Sequence, residues 1–315
     1  MSVATHAALI FVVGPTAVGK TAVALILARR IGAEILSIDS RQAYRHLDIG
    51  TAKPTPEQRA AAAHHLLDLF DPREAASAEE FARRYREALH GIRTRGKAAL
   101  AVGGSGLYVD ACLGRLDALP PADAQIRAAH ERIRDAEGAE ALHRRLAQAD
   151  PATAARLAPR DFQRVSRALE VQALTGRPLS RLQTRGGGRM DLSAGPPMLL
   201  LSRERSDLDQ RIHERAQAMI DAGLLDEVTR LLAAGVPASS CALEAIGYTE
   251  FARALAGEVT MESALEGFLQ RTRRYARRQM AWFRNRYAGV REVSVSRDEE
   301  PEETAGRILR LLGEA

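Results

Sequence analysis

One stretch of eight residues, GPTAVGKT at positions 14–21, constrains the fold of this chain more than any other feature. It fits the pattern G-x-x-x-x-G-K-[ST], a glycine-rich loop whose backbone N–H groups hold phosphate oxygens. The apolar run at 8–13 is typical of a buried strand, and residues 22–30 are good helix formers that end before Gly32. Because strand, loop and helix follow in the order that a phosphate-binding loop needs, a chance glycine-rich turn is the weaker interpretation.

Two side chains of this loop have predicted roles of their own. Lys20 would add a compact positive charge to the phosphate cradle, and the Thr21 hydroxyl would ligate Mg²⁺. Lys20, Lys53 and Lys97 are the only lysines among 45 Lys and Arg residues, so lysine is kept where an ammonium fits better than a planar guanidinium. The predicted diphosphate- or nucleotide-binding residues are Gly14, Pro15, Thr16, Ala17, Val18, Gly19, Lys20 and Thr21.

Further short apolar runs predict a parallel sheet. Runs at 34–38, 98–102 and 198–201 alternate with helical patterns, which predicts an α/β fold with a P-loop NTPase-like parallel sheet. The polar residues 39–42 follow the first of these runs, and ligands bind beyond the carboxyl ends of parallel strands. We therefore expect Asp39 beside the phosphate loop, as a general base or a group near Mg²⁺. The alternative is that Asp39 only caps the next turn.

A second polar turn, GGSGLY at 103–108, follows the run at 98–102. Its paired glycines let a ligand or another backbone approach closely. The Ser105 hydroxyl could face a developing charge or cap the following helix, and the two roles are compatible. Residues 44–56 contain turn-forming Gly and Pro and are predicted to be a surface crossover.

The middle of the chain is helical in pattern throughout. A pair of prolines opens this segment, and a glycine run with a second proline pair closes it. We predict a helical insertion domain at 118–195, within a core domain formed by 1–117 and 196–315. Arg164 and Arg167 share one face of a helix in this insertion, either as a solvated face or as a contact surface for a partner.

The segment 267–286 is the densest basic part of the chain. Its seven arginines suit a phosphate backbone, as does the net charge of +5. Phe268, Tyr275 and Trp282 lie at helical spacing, so we predict that this aromatic stripe packs in the core rather than stacking on a ligand.

Other features of the sequence narrow the class of protein. Two cysteines form no disulfide or metal framework, and the histidines show no zinc spacing. The N-terminal apolar run is too short to cross a bilayer and has no basic segment before it. We expect a cytoplasmic protein that is not associated with a membrane and has no obligate protein partner.

Several motifs together resemble bacterial tRNA dimethylallyltransferases, also called the tRNA isopentenyltransferase family. The resemblance covers roughly residues 8 to 287. The matching motifs are GPTAVGKT at 14–21, DSRQ at 39–42, DIGTAKP at 48–54, GGSGLY at 103–108, QRVSRALE at 163–170, AIGY at 245–248 and RRQMAWFR at 277–284.

This resemblance implies a reaction and its partners. The family transfers a dimethylallyl group from dimethylallyl diphosphate to N6 of the adenosine at tRNA position 37, next to the anticodon. Diphosphate leaves, and Mg²⁺ assists. The implied partners are therefore the anticodon stem-loop of tRNA and dimethylallyl diphosphate.

The resemblance also implies roles for individual residues. Asp39 matches the general base, Ser105 stands where the family usually has Thr, and Arg211 matches an arginine near the diphosphate; these three are the predicted catalytic residues. The predicted tRNA-binding residues are Asp39, Ser40, Arg41, Gln42, Ser105, Arg127, Gln163, Arg164, Val165, Ser166, Arg167, Arg277 and Arg278.

Two other functions stay open on the residues alone. A P-loop kinase for a small metabolite shares the phosphate cradle and the aspartate, although it does not explain the basic helix. A prenyltransferase for free adenine nucleotides would need no RNA-binding surface. A nucleic-acid-binding module with a decayed site is disfavoured because Lys20, Thr21 and Asp39 are intact.

Overall fold

The computed structural model describes residues 8–183 and 188–313. The chain folds into two compact units: Met1–Gly114 with Arg189–Ala315, and Arg115–Gly188. The predicted insertion at 118–195 therefore overlaps the second unit but runs further at its end. Residues after Gly188 belong to the first unit because Met190 and Asp191 pair with Tyr287 and Ala288 in a small parallel sheet.

The strands of the first unit alternate with helices along the chain. In chain order they are β1 (Leu9–Val13), β2 (Glu34–Ile38), β3 (His64–His65), β4 (Ala99–Gly103), β5 (Met190–Asp191), β6 (Met198–Ser202), β7 (Tyr287–Ala288) and β8 (Arg291–Ser294). Six of them form one parallel sheet in the order β3-β2-β4-β1-β6-β8. The predicted α/β fold with a parallel sheet is confirmed.

Helices cover both faces of this sheet. Those of the first unit are α1 (Lys20–Ile31), α2 (Pro56–Ala61), α3 (Ala78–Thr94) and α4 (Gly106–Cys112), then α10 (Arg205–Asp221), α11 (Leu224–Ala233), α12 (Tyr248–Leu255), α13 (Met261–Arg286) and α14 (Pro301–Gly313). Helix α13 begins earlier than the basic segment because the Thr260 side chain accepts a hydrogen bond from the Ser263 N–H and caps the helix. None of the helices in the described residues is long and apolar enough to cross a membrane.

Strand β1 shows how the core forms on both faces of the sheet. Phe11 and Val13 pack in one apolar cluster, whereas Ile10 and Val12 pack in the other. All four are at most 4% exposed, as expected for a parallel strand that is covered twice. Burying such a side chain contributes about 1.5–3 kcal/mol, so the central strands are rigid supports for the loops that leave them.

The register of the sheet brings three loops together. Val13 of β1 and Ile38 of β2 both lie beside Gly103 of β4, so the three strands end at the same edge. Because the strands are parallel, residues 14–19, 39–42 and 104–108 all leave that edge.

The second unit is a small helical bundle. Its helices are α5 (Ala124–Glu137), α6 (Ala139–Ala149), α7 (Pro151–Ala154), α8 (Phe162–Thr175) and α9 (Leu179–Leu182). Their apolar faces meet in one cluster, formed by Leu142, Leu146, Ala154, Val165, Ala168, Val171 and Leu179. This is the helical segment that the sequence predicted, with α7 ending at Ala154.

Candidate active site

The phosphate loop ends where helix α1 begins, and its lysine folds back over it. Lys20 Nζ donates hydrogen bonds to the carbonyl oxygens of Gly14 at 3.0 Å and Pro15 at 2.7 Å. The pKa of Lys20 is lowered to about 7, chiefly by burial and then by the nearby Arg215, while Asp39 partly opposes the shift. An anion in the cradle would favour the charged ammonium, so the loop is prepared for a phosphate group.

Two arginines on helix α10 serve this loop in different ways. Arg211 Nε donates to the carbonyl oxygen of Ala17 at 3.0 Å, and Ala17 has a left-handed backbone with φ 64°. Arg211 therefore braces the loop. Arg215, one turn further on, lines the cavity, and burial lowers its pKa. Sequence analysis missed Arg215, although its spacing of four from Arg211 places both on one helix face.

The segment 39–42 forms a second wall of the cavity. Asp39 Oδ1 accepts hydrogen bonds from the N–H of Arg41 at 2.8 Å and of Gln42 at 3.3 Å. Asp39 therefore caps its turn and also lines the cavity. Ser105 is buried and acts on this wall through Ser40, because its Oγ accepts from the Ser40 N–H at 3.1 Å.

Gln42 ties the wall to the next loop. Its Nε2 donates to the carbonyl oxygens of Thr51 at 3.1 Å and Ala52 at 3.0 Å, and its Oε1 accepts from Ser37 Oγ at 2.9 Å. Arg41, the remaining residue of the segment, donates through a guanidinium nitrogen to the carbonyl oxygen of Cys241.

Within residues 44–56, for which a surface crossover was the simplest interpretation, the segment 48–50 is held by a buried carboxylate. Glu227, only 4% exposed, accepts hydrogen bonds from three consecutive backbone N–H groups, those of Asp48, Ile49 and Gly50. The hydroxyl of Tyr248 donates to the same carboxylate at 2.5 Å. A buried carboxylate with four donors holds this loop against the cavity, which Gly50 and neighbouring residues line.

Gln279 of helix α13 joins two of the loops at the sheet edge. Its Oε1 accepts from the Thr16 N–H at 2.8 Å, and its Nε2 donates to the Gly104 carbonyl oxygen at 3.0 Å. A Cβ on Gly104 would lie 2.2 Å from that nitrogen, so glycine is needed for the bridge. The sequence alone gave no sign of this role for Gln279, because Thr16 is 263 positions away.

These walls enclose a cavity of about 370 Å³ in the first unit. Its polar lining includes Thr16, Lys20, Thr21, Asp39, Ser40, Arg41, Gln42, Arg215, Arg271 and Arg278. Its apolar lining includes Ile212, Ala216, Met219, Ala245, Ile246 and Phe268. The same space therefore offers a cationic cradle, the carboxylates of Asp39 and Glu244, and a hydrocarbon surface.

The cavity can also accommodate Mg²⁺. No cluster of three or more metal-ligating side chains occurs in residues 8–183 and 188–313. Mg²⁺ does not need such a cluster, because it commonly takes one or two protein oxygens and completes its shell with substrate phosphates and water. The Thr21 hydroxyl and the Asp39 carboxylate line the cavity as oxygen groups beside the phosphate cradle, so the residues present fit a magnesium–diphosphate complex.

In the second unit, the predicted RNA-contact segment has two faces. Gln163 and Arg164 are exposed, and Arg164 Nε pairs with Asp161 at 2.7 Å. Val165 is fully buried in the bundle core, and the Ser166 hydroxyl bonds to a ring nitrogen of His130 at 2.9 Å. The side chains of Val165 and Ser166 thus support the helix, which leaves Gln163 and Arg164 as the surface of this segment.

Arg127 and Arg167 are held by a buried carboxylate. Glu170 is 0% exposed, and it pairs with Arg127 at 3.0 Å and Arg167 at 2.7 Å. Burial alone would raise the pKa of Glu170, but hydrogen bonds from the two arginines lower it overall. Both arginines therefore have a structural partner besides any contact with RNA.

On helix α13 the aromatic stripe only partly matches the prediction. Phe268 is buried, Tyr275 is half-buried, and Trp282 is 36% exposed, so the prediction of a core position is wrong for Trp282. Arg277 and Arg278 are both exposed, and Arg278 also lines the cavity. One end of the basic helix thus borders the candidate active site.

The parallel sheet, the phosphate loop at its edge and the carboxylate beside that loop define a P-loop α/β protein for a phosphorylated substrate. Residues 42–286 match the family model described as IPP transferase, and the chain belongs to this family.

Named relatives and solved structures agree with this assignment. The chain is 48% identical to the tRNA dimethylallyltransferase of Halorhodospira halophila, over 89% of this chain and 91% of that one. It is 47% identical to the tRNA dimethylallyltransferase of Geobacter metallireducens, over 88% and 89%. The crystal structure of the tRNA isopentenylpyrophosphate transferase of Bacillus halodurans matches with a TM-score of 0.69 and 36% identity, over 98% and 96%. A eukaryotic dimethylallyltransferase acting on tRNA, at 22% identity and a TM-score of 0.75, has the same fold.

Proposed function

We propose that this protein transfers a dimethylallyl group from dimethylallyl diphosphate to N6 of the adenosine at tRNA position 37, and releases diphosphate. The relatives that carry the name tRNA dimethylallyltransferase cover most of the chain and support this proposal.

The composition of the cavity wall is the observation that carries the proposal. Lys20 and Arg215 suit a diphosphate, while Ile212, Met219 and Phe268 suit a short hydrocarbon. A diphosphate ester of a small alkyl chain matches both parts of this wall at once, with its anion on the cationic side and its hydrocarbon on the apolar side.

Asp39 is the proposed general base. The exocyclic amine of the adenosine attacks C1 of the dimethylallyl group, the C–O bond to diphosphate breaks, and the amine proton passes to the Asp39 carboxylate. Because Asp39 Oδ1 is fixed by two backbone N–H groups, the carboxylate is oriented before the substrate arrives. General-base assistance of this kind typically contributes about 10²–10⁴-fold.

The leaving group receives the remaining assistance. Negative charge grows on the diphosphate oxygens as the C–O bond breaks, and the loop N–H groups, Lys20 and Arg215 stabilise that charge. Arg211 and Gln279 position the loop from behind, through Ala17 and Thr16. Thr21 would hold Mg²⁺, which neutralises diphosphate charge when bound.

The acceptor must leave its stack before it can react. Extruding a base from its neighbours costs a few kcal/mol, and protein contacts with the flanking RNA offset that cost. Arg277, Arg278 and the exposed face of Gln163 and Arg164 are the proposed contacts. The wall formed by residues 39–42 and Ser105 would hold the extruded adenosine.

Transfer of labelled dimethylallyl to three parallel acceptors tests the proposal. Unmodified tRNA, AMP and ATP are incubated with labelled dimethylallyl diphosphate, and a matched tRNA carries guanosine at position 37. We expect label on the unmodified tRNA alone and none on the guanosine control. Label on AMP or ATP would instead support the adenine-nucleotide prenyltransferase, and phosphoryl transfer from ATP to a metabolite would support the kinase.

A further inference from the structure

We infer that Trp282, with Leu107 beside it, forms a stacking platform for a nucleotide that flanks the target adenosine. This inference rests on the proposed function, because it assigns a further contact to the same RNA. The platform is defined here as the exposed faces of these two side chains.

Both side chains are unusually exposed for their type. Trp282 is 36% exposed and Leu107 is 50% exposed, on the first turn of α4. Gly106, the residue before Leu107 in the chain, lies against the indole. A Cβ on Gly106 would lie 2.5 Å from both Cδ1 and Nε1 of Trp282, so only glycine allows this contact.

Residues near Trp282 connect it to the lining of the cavity in two ways. Ser105 precedes Gly106 in the chain and bonds to Ser40, which lines the cavity. On helix α13, Arg278 lies one turn before Trp282 and also lines the cavity. The platform therefore sits where an RNA strand would pass on its way into the site.

The positive charges around the platform favour RNA as its ligand over an apolar protein surface. The guanidinium of Arg286 lies 5.4 Å from the centroid of the indole ring, which fixes the ring through a cation–π contact. Arg277 and Arg278 are exposed one turn earlier on the same helix. Aromatic rings beside cationic side chains are the common surface for unpaired bases, because every base has a π-face and a charged backbone.

Extrusion of the target adenosine leaves a neighbouring base free to stack on the platform. When the target adenosine leaves the stack, the neighbours on each side lose a stacking partner. The indole can replace that partner on one side, which lowers the cost of extrusion. The prediction is therefore specific to a flanking nucleotide and does not concern the diphosphate.

Trp282 is the only tryptophan in the chain, so its fluorescence reports this contact directly. We expect quenching when an anticodon stem-loop RNA binds the full-length protein. The quenching should disappear with a stem-loop that has an abasic site on one side of the target adenosine, either 5′ or 3′. Unchanged emission at RNA concentrations that saturate binding by polarisation would overturn the inference.

Kinetics of three variants give a second measure. Trp282→Ala should raise the KM for tRNA about tenfold or more with a smaller change in kcat, and Trp282→Phe should restore most of the loss. Affinity for inorganic diphosphate should stay unchanged in both, which separates lost stacking from a disturbed active site. Leu255→Ala removes another exposed leucine, 44% exposed on α12, and should leave the KM unchanged.

The outcomes separate this inference from the proposed function. If the wild-type protein prenylates tRNA but Trp282→Ala keeps the KM and the RNA causes no quenching, the platform is refuted while the function stands. If no RNA is prenylated, the function fails, and the quenching experiment still decides whether RNA stacks on Trp282. A change of emission with protein concentration alone would refute the platform in favour of contact between two copies of the chain.

Discussion

Cationic side chains that line the cavity of the first unit and those around Glu170 in the second unit meet carboxylates in different ways. In the second unit, Arg127 and Arg167 share the fully buried Glu170, whose pKa is lowered by their hydrogen bonds. Each charge there has a fixed partner within the protein, which is the arrangement of a structural ion-pair network.

In the cavity, by contrast, Lys20 lies close to another cation, Arg215. Burial and repulsion by Arg215 lower the pKa of Lys20, and Asp39 offsets this only in part. Positive charge that is buried without a full set of carboxylates is stabilised by an anionic ligand. An arginine-rich sequence alone therefore does not indicate a ligand-binding site. The partners of each charged side chain in the folded protein do indicate one.

The largest expected effect comes from Asp39→Asn. The amide oxygen can still accept from the N–H groups of Arg41 and Gln42, so the turn is kept while the charge and the base are lost. We expect the rate of transfer to fall about 10²–10⁴-fold, with tRNA affinity within a few-fold. Single-turnover transfer and RNA binding are the measurements, and near-normal transfer would exclude Asp39 as the base.

Arg215→Ala and Arg211→Ala compare an arginine that lines the cavity with one that hydrogen-bonds to the phosphate loop. We expect diphosphate affinity to fall roughly 10- to 100-fold, because a charge-assisted contact is lost. Arg211→Ala is the matched control on the same helix and should weaken binding less, since its bond goes to the Ala17 carbonyl. Equal losses in calorimetric titration would contradict this division of roles.

Glu170→Gln, in the second unit, should lower the stability of the protein and leave its diphosphate affinity unchanged. Losing the buried carboxylate leaves Arg127 and Arg167 uncompensated, and we expect thermal unfolding to show a loss of roughly 2–4 kcal/mol. The value lies below that of a fully buried pair because both arginines are partly exposed. Glu140→Gln removes an exposed carboxylate near Arg160 and should change little. Diphosphate affinity should be normal in both variants, and a large loss there would contradict the comparison.

The pH dependence of diphosphate binding tests the state of Lys20. Its pKa is about 7 in the empty cavity, and a bound anion raises that pKa because it favours the ammonium. Binding at about pH 8 should therefore take up a proton, and affinity should fall as pH rises above 7. Titration calorimetry in buffers of different ionisation enthalpy measures the uptake. Lys20→Met should remove this contribution and leave only the ionisation of the diphosphate itself.

The smallest effect is expected from Arg164→Ala. Arg164 is 74% exposed and pairs only with Asp161 at the start of its helix among the ion pairs of the described residues. We expect a few-fold loss of tRNA affinity. The slope of log affinity against log salt concentration, the salt slope, should decrease in magnitude by about one. Arg160→Ala, which removes another highly exposed arginine of this unit, is the control. An unchanged salt slope in Arg164→Ala would show that Arg164 does not contact the RNA backbone.

Features that depend on neighbouring residues could be predicted from the sequence. The phosphate loop with its strand and helix, the polar segment at 39–42 and the turn at 103–108 are each contiguous. Because parallel strands end at one edge, their meeting followed from the strand pattern. The position of Asp39 beside the loop was predictable for this reason.

Features that join distant parts of the chain were decided only by tertiary structure. Gln279 bonds to Thr16 and Glu227 holds residues 48–50, yet neither pair lies close in sequence. Helical periodicity shows which residues share a face, but not what covers that face. Helical periodicity thus grouped Trp282 with Phe268, but the packing of α13 buries Phe268 and exposes Trp282. The sequence determined the chemistry at the sheet edge, and the fold decided which charges and rings remain open to a ligand, because burial depends on contacts between elements far apart in the chain.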